Sequence, residues 1–172
     1  MKHYPTILVE GETESSLFSD FKKVSAYPIK KIVKVNLWNN DIKKLLPYLK
    51  DANDIIIVFD TDALVGLQRF QSNINMLIQR KHRIHLFQQK HCFEDELIHA
   101  CDCTVRKLFE SFCQKINSSD NFKAEFIRCH NRIDKLKLLG LKHERLWSRE
   151  LIKELQGYKP NQKYFSNFFK EP

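Results

Sequence analysis

Glu10, Glu12 and Glu14 fall within five residues, directly after the apolar stretch Thr6–Val9, and Asp60 and Asp62 close a second apolar stretch fifty residues later. Three or four carboxylates gathered in one low-dielectric cleft repel each other by several kcal/mol. Some must take up protons, or a hard cation must neutralise them. An oxygen-only donor set favours magnesium or manganese over zinc. Such an ion can bind a phosphate oxygen, lower the pKa of a bound water and offset charge on a leaving oxygen. Each motif also has a local use. Asp-Thr-Asp after a strand can cap a helix, and glutamates near a helix start are favoured by its dipole. It is the combination, in this order along the chain, that points to a metal site.

The elements that must position these acids are legible as an alternation. "TILVE" (6–10) reads as a buried strand, turning at Gly11 into a helix from about Thr13 with Leu17, Phe18, Phe21 and Val24 inward. "KKIVKVNL" (30–37) reads as a less central strand. Asn39, Asn40 or Asp41 can cap the helix after it, striped by Ile42, Leu45, Leu46 and Leu49. "DIIIVFDTD" (54–62) has the continuous apolar run of a strand covered on both faces. A helix over "ALVGLQRFQSNINMLIQRK" and a fourth strand "RIHLFQQ" (83–89) complete the pattern. Four βα units in a row imply a parallel sheet with helices on both faces. Ligands collect at the C-terminal edge of such sheets. With the first and third strands adjacent, Glu10, Asp60 and Asp62 converge there, and Glu14 on the next helical turn points into the same space.

"LVEGETE" followed by "VFDTD" across four βα units resembles the TOPRIM domain of topoisomerases, bacterial primases, recombination mediators and OLD-like nucleases. The "EGETE" form is most similar to OLD-like nucleases and small TOPRIM effectors of anti-phage defence. The resemblance covers residues 6 to about 96. It implies an α/β, TOPRIM-like (Rossmann-like) parallel four-stranded sheet flanked by helices, with Glu10, Asp60 and Asp62 binding Mg2+ or Mn2+ for phosphoryl transfer. Glu14 then joins the metal site. OLD-like sites also use later acids and a lysine. Glu94 is a candidate ligand of a second metal and Lys90 a candidate stabiliser of transition-state charge, with Glu96 nearby. A solvated helix face explains these three equally well, and Glu12 is expected to face solvent.

The remainder of the chain reads as helical: "CFEDELIHAC", "TVRKLFESFCQKI" with Val105, Leu108, Phe109, Phe112 and Ile116 inward, "SSDNFKAEFIRCHNRIDKLKLLG" capped by Ser119 or Asp120, and "WSRELIKELQG". The expected organisation is a catalytic α/β part over 1–103 and a helical extension over 104–172, packed as one unit. Residues 1–103 carry 14 Lys and Arg against 13 Asp and Glu, and residues 104–172 carry 15 against 8. The excess positive charge therefore sits in the extension, where Arg128, Arg132, Lys135, Lys137, Lys142 and Arg145, with Arg149, can track a phosphate backbone or simply solvate a helix. His91, Cys92, His99, Cys101 and Cys103 match no usual zinc spacing and read as buried structural groups. The tail "YKPNQKYFSNFFK" reads as a cover for the core.

The apolar runs are too short to span a membrane, no signal-peptide pattern opens the chain, and five cysteines suit a reducing compartment. A cytoplasmic protein with no membrane partner is expected. The leading expectation is a metal-dependent nuclease acting on DNA or RNA. By resemblance it works with an ATPase partner, since the chain has no phosphate-binding loop of its own. A homodimer is left open. The alternative is a TOPRIM-like module that holds nucleic acid or a partner without cleaving. Receiver and haloacid-dehalogenase folds fit the order of the acids poorly.

Overall fold

The computed structural model describes residues 4–23, 28–62, 64–113 and 118–169. Strands β1 (Thr6–Val9), β2 (Lys31–Lys34), β3 (Asp54–Asp60) and β4 (Arg83–Gln89) form one parallel sheet in the order β2-β1-β3-β4. The chain is therefore α/β with helices on both sheet faces, as the alternation implied.

Alternate residues of β1 and β3 feed two separate cores. Ile7, Val9, Ile56 and Val58 join Phe87 on one face, under α1 (Glu12–Lys23). Leu8, Ile55, Ile57 and Phe59 join Ile84 and Leu86 on the other, under α2 (Leu46–Leu49) and α3 (Leu67–Gln79). Both faces of β3 are covered, which is why its sequence is continuously apolar rather than alternating.

The C-terminal part is built into these cores. Helices α4 (Phe93–Cys101), α5 (Val105–Phe112), α6 (Ser119–Arg128) and α7 (Arg132–Leu138) contribute Leu97, Leu108, Phe122, Phe126 and Leu136 to the same cluster as Ile7 and Phe18. Trp147 stacks on Phe18 and Phe87 at centroid distances of 5.0 and 5.4 Å. Phe165 and Phe169, at the two ends of the short α8 (Phe165–Phe168), are buried in that cluster as well. The segment after Trp147 crosses to the far edge of β4. There Gln88 donates to the Glu150 carbonyl and accepts from the Ile152 N–H, and Gln162 bridges to Leu86. An open sheet edge is thereby covered.

Three expected helices are corrected. The stretch from Ser119 to Gly140 is two helices, α6 and α7, because the Arg132 guanidinium turns back to the carbonyls of Phe126, Ile127 and Cys129 and closes the end of α6. The element after Trp147 is a 3-10 helix over Lys153–Asn161 that contains Pro160, and the chain before it is extended along β4. The element after β2 begins as a 3-10 turn, Ile42–Leu45, with Asp41 as its cap. The expected inward positions Val24 and Ile116, the helical residue Ala63 and the tail residue Lys170 lie outside the described residues. No helix among the described residues is long and apolar enough to cross a membrane.

Gly66 enters α3 at φ +92°, and a Cβ there would stand 2.3 Å from the Trp38 carbonyl oxygen. Gly66→Ala therefore combines a left-handed backbone with a backbone clash and should cost at least about 2 kcal/mol in urea unfolding. An unchanged midpoint would show that the Trp38 loop yields freely.

Candidate metal and phosphoryl-transfer site

Parallel pairing of β1 with β3 brings Glu10, the residue after β1, beside Asp60, the last residue of β3. Pairing of β3 with β4 sets Gln89 directly opposite Asp60. Thr61 fastens these ends together: its hydroxyl donates to the Gln89 carbonyl at 3.0 Å and accepts from the His91 N–H at 3.3 Å. Glu14 reaches the group from the first turn of α1. Its Oε2 accepts from the Thr13 hydroxyl at 3.0 Å and would stand 3.0 Å from any Cβ at position 11, so Gly11 admits the carboxylate close to the main chain. With its amide nitrogen turned toward the acids, Gln89 donates to Glu14 Oε1 at 3.1 Å and to Asp60 Oδ1.

The strand-end acids form a ridge between two clefts. One, of about 330 Å³, is lined by Glu10, Glu14, Asn36 and Asp60 on one side and Phe93, Lys123 and Ile127 on the other. The second, of about 260 Å³, shares Glu10, Asn36 and Asp60 and adds Asp62, Trp38 and Val65. Glu10 Oε2 accepts from the Asn36 amide at 3.3 Å, while Oε1 is buried. The Trp38 indole N–H is buried beside this carboxylate and is directed at it.

Crowding shows in the protonation of these groups. Burial, then the charges of Glu14, Glu10 and Asp62, raises the Asp60 pKa to about 8. Burial and the Glu14 charge raise that of Glu10 to about 7, against the pull of the Asp60 N–H and the nearby indole. Burial likewise raises Glu14, which is only 3% exposed. Lys123 lowers both Asp60 and Glu14, so it is a cation whose field reaches the acids.

The other expected residues fall in different places. Asp62 is exposed and faces only the second cleft. Glu12 is exposed and paired with Lys34. Lys90 is exposed just past β4 and lines neither cleft. Glu94 is buried on the first turn of α4, with Oε1 taken by the Ser119 hydroxyl and, at 3.7 Å, by Lys123. Glu96 is fully buried against Arg149 at 2.7 Å and serves to anchor the loop before the C-terminal crossing.

Of the expected nucleic-acid set, Arg132 is corrected. It is 7% exposed, 2.8 Å from Asp20 of α1 as well as bonded to the α6 carbonyls, and is committed to joining α1, α6 and α7. Arg145 and Lys142 pair with Asp102 at 3.2 and 3.7 Å. Lys135 lies over the Phe112 ring, Lys137 is exposed, and exposed Arg128 pairs with Glu125. In the Cys/His stretch, Cys101 is buried with its thiol pushed up to about 12, and His99 meets Ser148 and Arg145.

Sequence reasoning missed Gln89 and Lys123. Gln89 was accessible in principle, because it ends the fourth strand and so shares the ligand-binding edge. Nothing in the spacing marks Lys123, which lies sixty residues beyond the nearest strand-end acid.

Against protein-family models, curated proteins and solved structures, the chain finds no match. The reading of the site rests on its own geometry. Its donors are all oxygen, and burial together with like-charge repulsion raises the carboxyl pKa values of Glu10 and Asp60. These features fit a hard divalent ion. As the side chains stand, however, no group of three or more His, Cys, Asp or Glu among the described residues is arranged to hold a metal. The Gln89 amide bridges Glu14 and Asp60.

A carboxyl whose pKa rises on folding favours the folded state below its unfolded value near 4, and that contribution is lost as pH climbs through about 8. Asp60→Asn should therefore be more stable than the parent in EDTA at about pH 8.5, by on the order of 2–4 kcal/mol, with the gap closing toward pH 4. A pH-independent gap in thermal melts would refute the coupling. Arg132→Met should cost about 3–5 kcal/mol by leaving the α6 carbonyls without their donor and Asp20 with Lys23 alone, whereas Lys137→Met should stay within about 0.5 kcal/mol. Chemical denaturation measures both.

Proposed function

We propose that this chain is a Mg2+- or Mn2+-dependent nuclease of TOPRIM type that cleaves phosphodiester bonds in DNA or RNA. The supporting observation is the ridge itself: Glu10 and Asp60, raised to about 7 and 8, stand with Glu14 at the C-terminal edge of a parallel sheet, open to clefts on both sides. A fold has no need of such a group, since carboxylates that repel one another in a buried site cost stability unless a ligand offsets them.

Glu10, Asp60 and Glu14 would hold the metal, with Asp62 reaching it from the second cleft. When bound, the ion supplies Lewis-acid polarisation of the phosphoryl group. Glu10, with a pKa of about 7, is suited to accept a proton from an attacking water. Asn36 fixes Glu10 Oε2 and so sets which oxygen faces the cleft. Control by a partner ATPase, and a role in anti-phage defence, remain part of this reading through the resemblance of the "EGETE" and "DTD" motifs alone. The alternative of a non-cleaving binding module is favoured by the unclosed ligand shell.

The test is incubation of the protein with plasmid DNA, single-stranded DNA and total tRNA in Mg2+, Mn2+ or EDTA, beside Glu10→Gln and Asp60→Asn. The expected result is metal-dependent cleavage that each substitution lowers by on the order of 10³-fold or more. Metal binding without cleavage of any substrate would favour the binding module. Neither binding nor cleavage would remove the site.

A further inference from the structure

We propose that Lys123, on α6 of the helical extension, is the residue that seats the substrate's phosphodiester opposite the acids. The inference rests on the reading of the cleft as a phosphoryl-transfer site, and it gives the second wall of that cleft a role.

Ser119, Lys123 and Ile127 recur every four residues on α6 and so share one face of it. That face looks onto the 330 Å³ cleft through Lys123 and Ile127, with Phe93 beside them. Lys123 is held from its own side. Its ammonium stands 3.7 Å from Glu94 Oε1, which also accepts from the Ser119 hydroxyl, and Glu94 itself is 5% exposed. The Lys123 side chain remains 43% exposed. Among the described residues no Lys or Arg forms an ion pair with Glu10, Glu14 or Asp60, although the Lys123 charge is felt at Glu14 and Asp60. A counter-ion for the acids would sit on them. Lys123 instead is held near Glu94 and lines the same cleft as the acids.

A phosphodiester fits between these walls. Its anionic oxygens match an ammonium on one side and a carboxylate-bound cation on the other. The sugar then meets the exposed side of Ile127. Glu94 acts as a positioning residue, because it touches Lys123 and not the cleft. This also gives the packing of α6 on α1 and α5 a role: α6 must hold its place against α1, which follows β1, to keep the two walls apart.

The experiment measures binding of a short single-stranded DNA and its RNA counterpart by fluorescence anisotropy in Ca2+, across a range of salt. Parent, Lys123→Met, Lys123→Arg and a surface control, Lys107→Met, are compared, with circular dichroism verifying the fold and Mn2+ affinity measured separately. Lys123→Met should weaken the binding at least about 10-fold and flatten the salt slope by about 0.7, one phosphate contact on a single strand. Mn2+ affinity should hold or rise, since a nearby positive charge is gone. Lys123→Arg should retain most of the binding, and Lys107→Met all of it. Unchanged affinity and slope in Lys123→Met, or a parent that binds neither oligonucleotide, would overturn the proposal. A parent that binds through Lys123 but cleaves nothing in Mn2+ would uphold it while the nuclease reading falls.

Discussion

Like-charge crowding at the ends of β1 and β3 is the constraint around which the rest of this structure is arranged. Two parallel strands paired side by side must end side by side, so an acid that follows one and an acid that closes the other are forced into proximity. Burial deepens the conflict, because a carboxylate loses hydration faster than its neighbours supply hydrogen bonds. The protein answers in part. Asn36, Thr13 and Gln89 each provide a donor, and Lys123 provides a distant positive charge. The remainder is left as raised proton affinity on Glu10, Glu14 and Asp60.

Holding that arrangement requires stiffness in the surrounding framework, which comes from two cores on opposite faces of the sheet. One contains the helical back of the chain, so α5, α6 and α7 are part of the same packing unit as β1. Its charged fastenings are internal. Asp20 with Arg132, and Glu96 with Arg149, tie α1 and α4 to the C-terminal elements across long stretches of sequence. Buried pairs of this kind add little net stability, but breaking one strands its partner, which makes them strong determinants of which helices meet. The basic excess of the extension is thus partly spent on architecture.

Most of the fold was legible. The four strands, their order of appearance and their parallel sense follow from βα alternation and from the continuous apolar run of β3, and the acids Glu10, Glu14 and Asp60 were identified by position alone. Local periodicity was a poorer guide toward the C-terminus. The apolar pattern runs through Cys129–Asn131 without a break, yet the chain breaks there, where Arg132, paired with Asp20 of α1, turns back onto the carbonyls of α6. Lys90 was an attractive candidate for its closeness in sequence to the fourth strand, yet it lines neither cleft.

What the sequence by itself determined is the set of groups that a parallel sheet must gather at one edge, since strand pairing converts position along the chain into position in space with little freedom. What only the tertiary structure decided is what stands opposite that edge. Helix packing depends on side-chain fit between distant segments, and it was this fit that buried Arg132, turned Glu94 toward α6 and brought Lys123 to the cleft that the acids line.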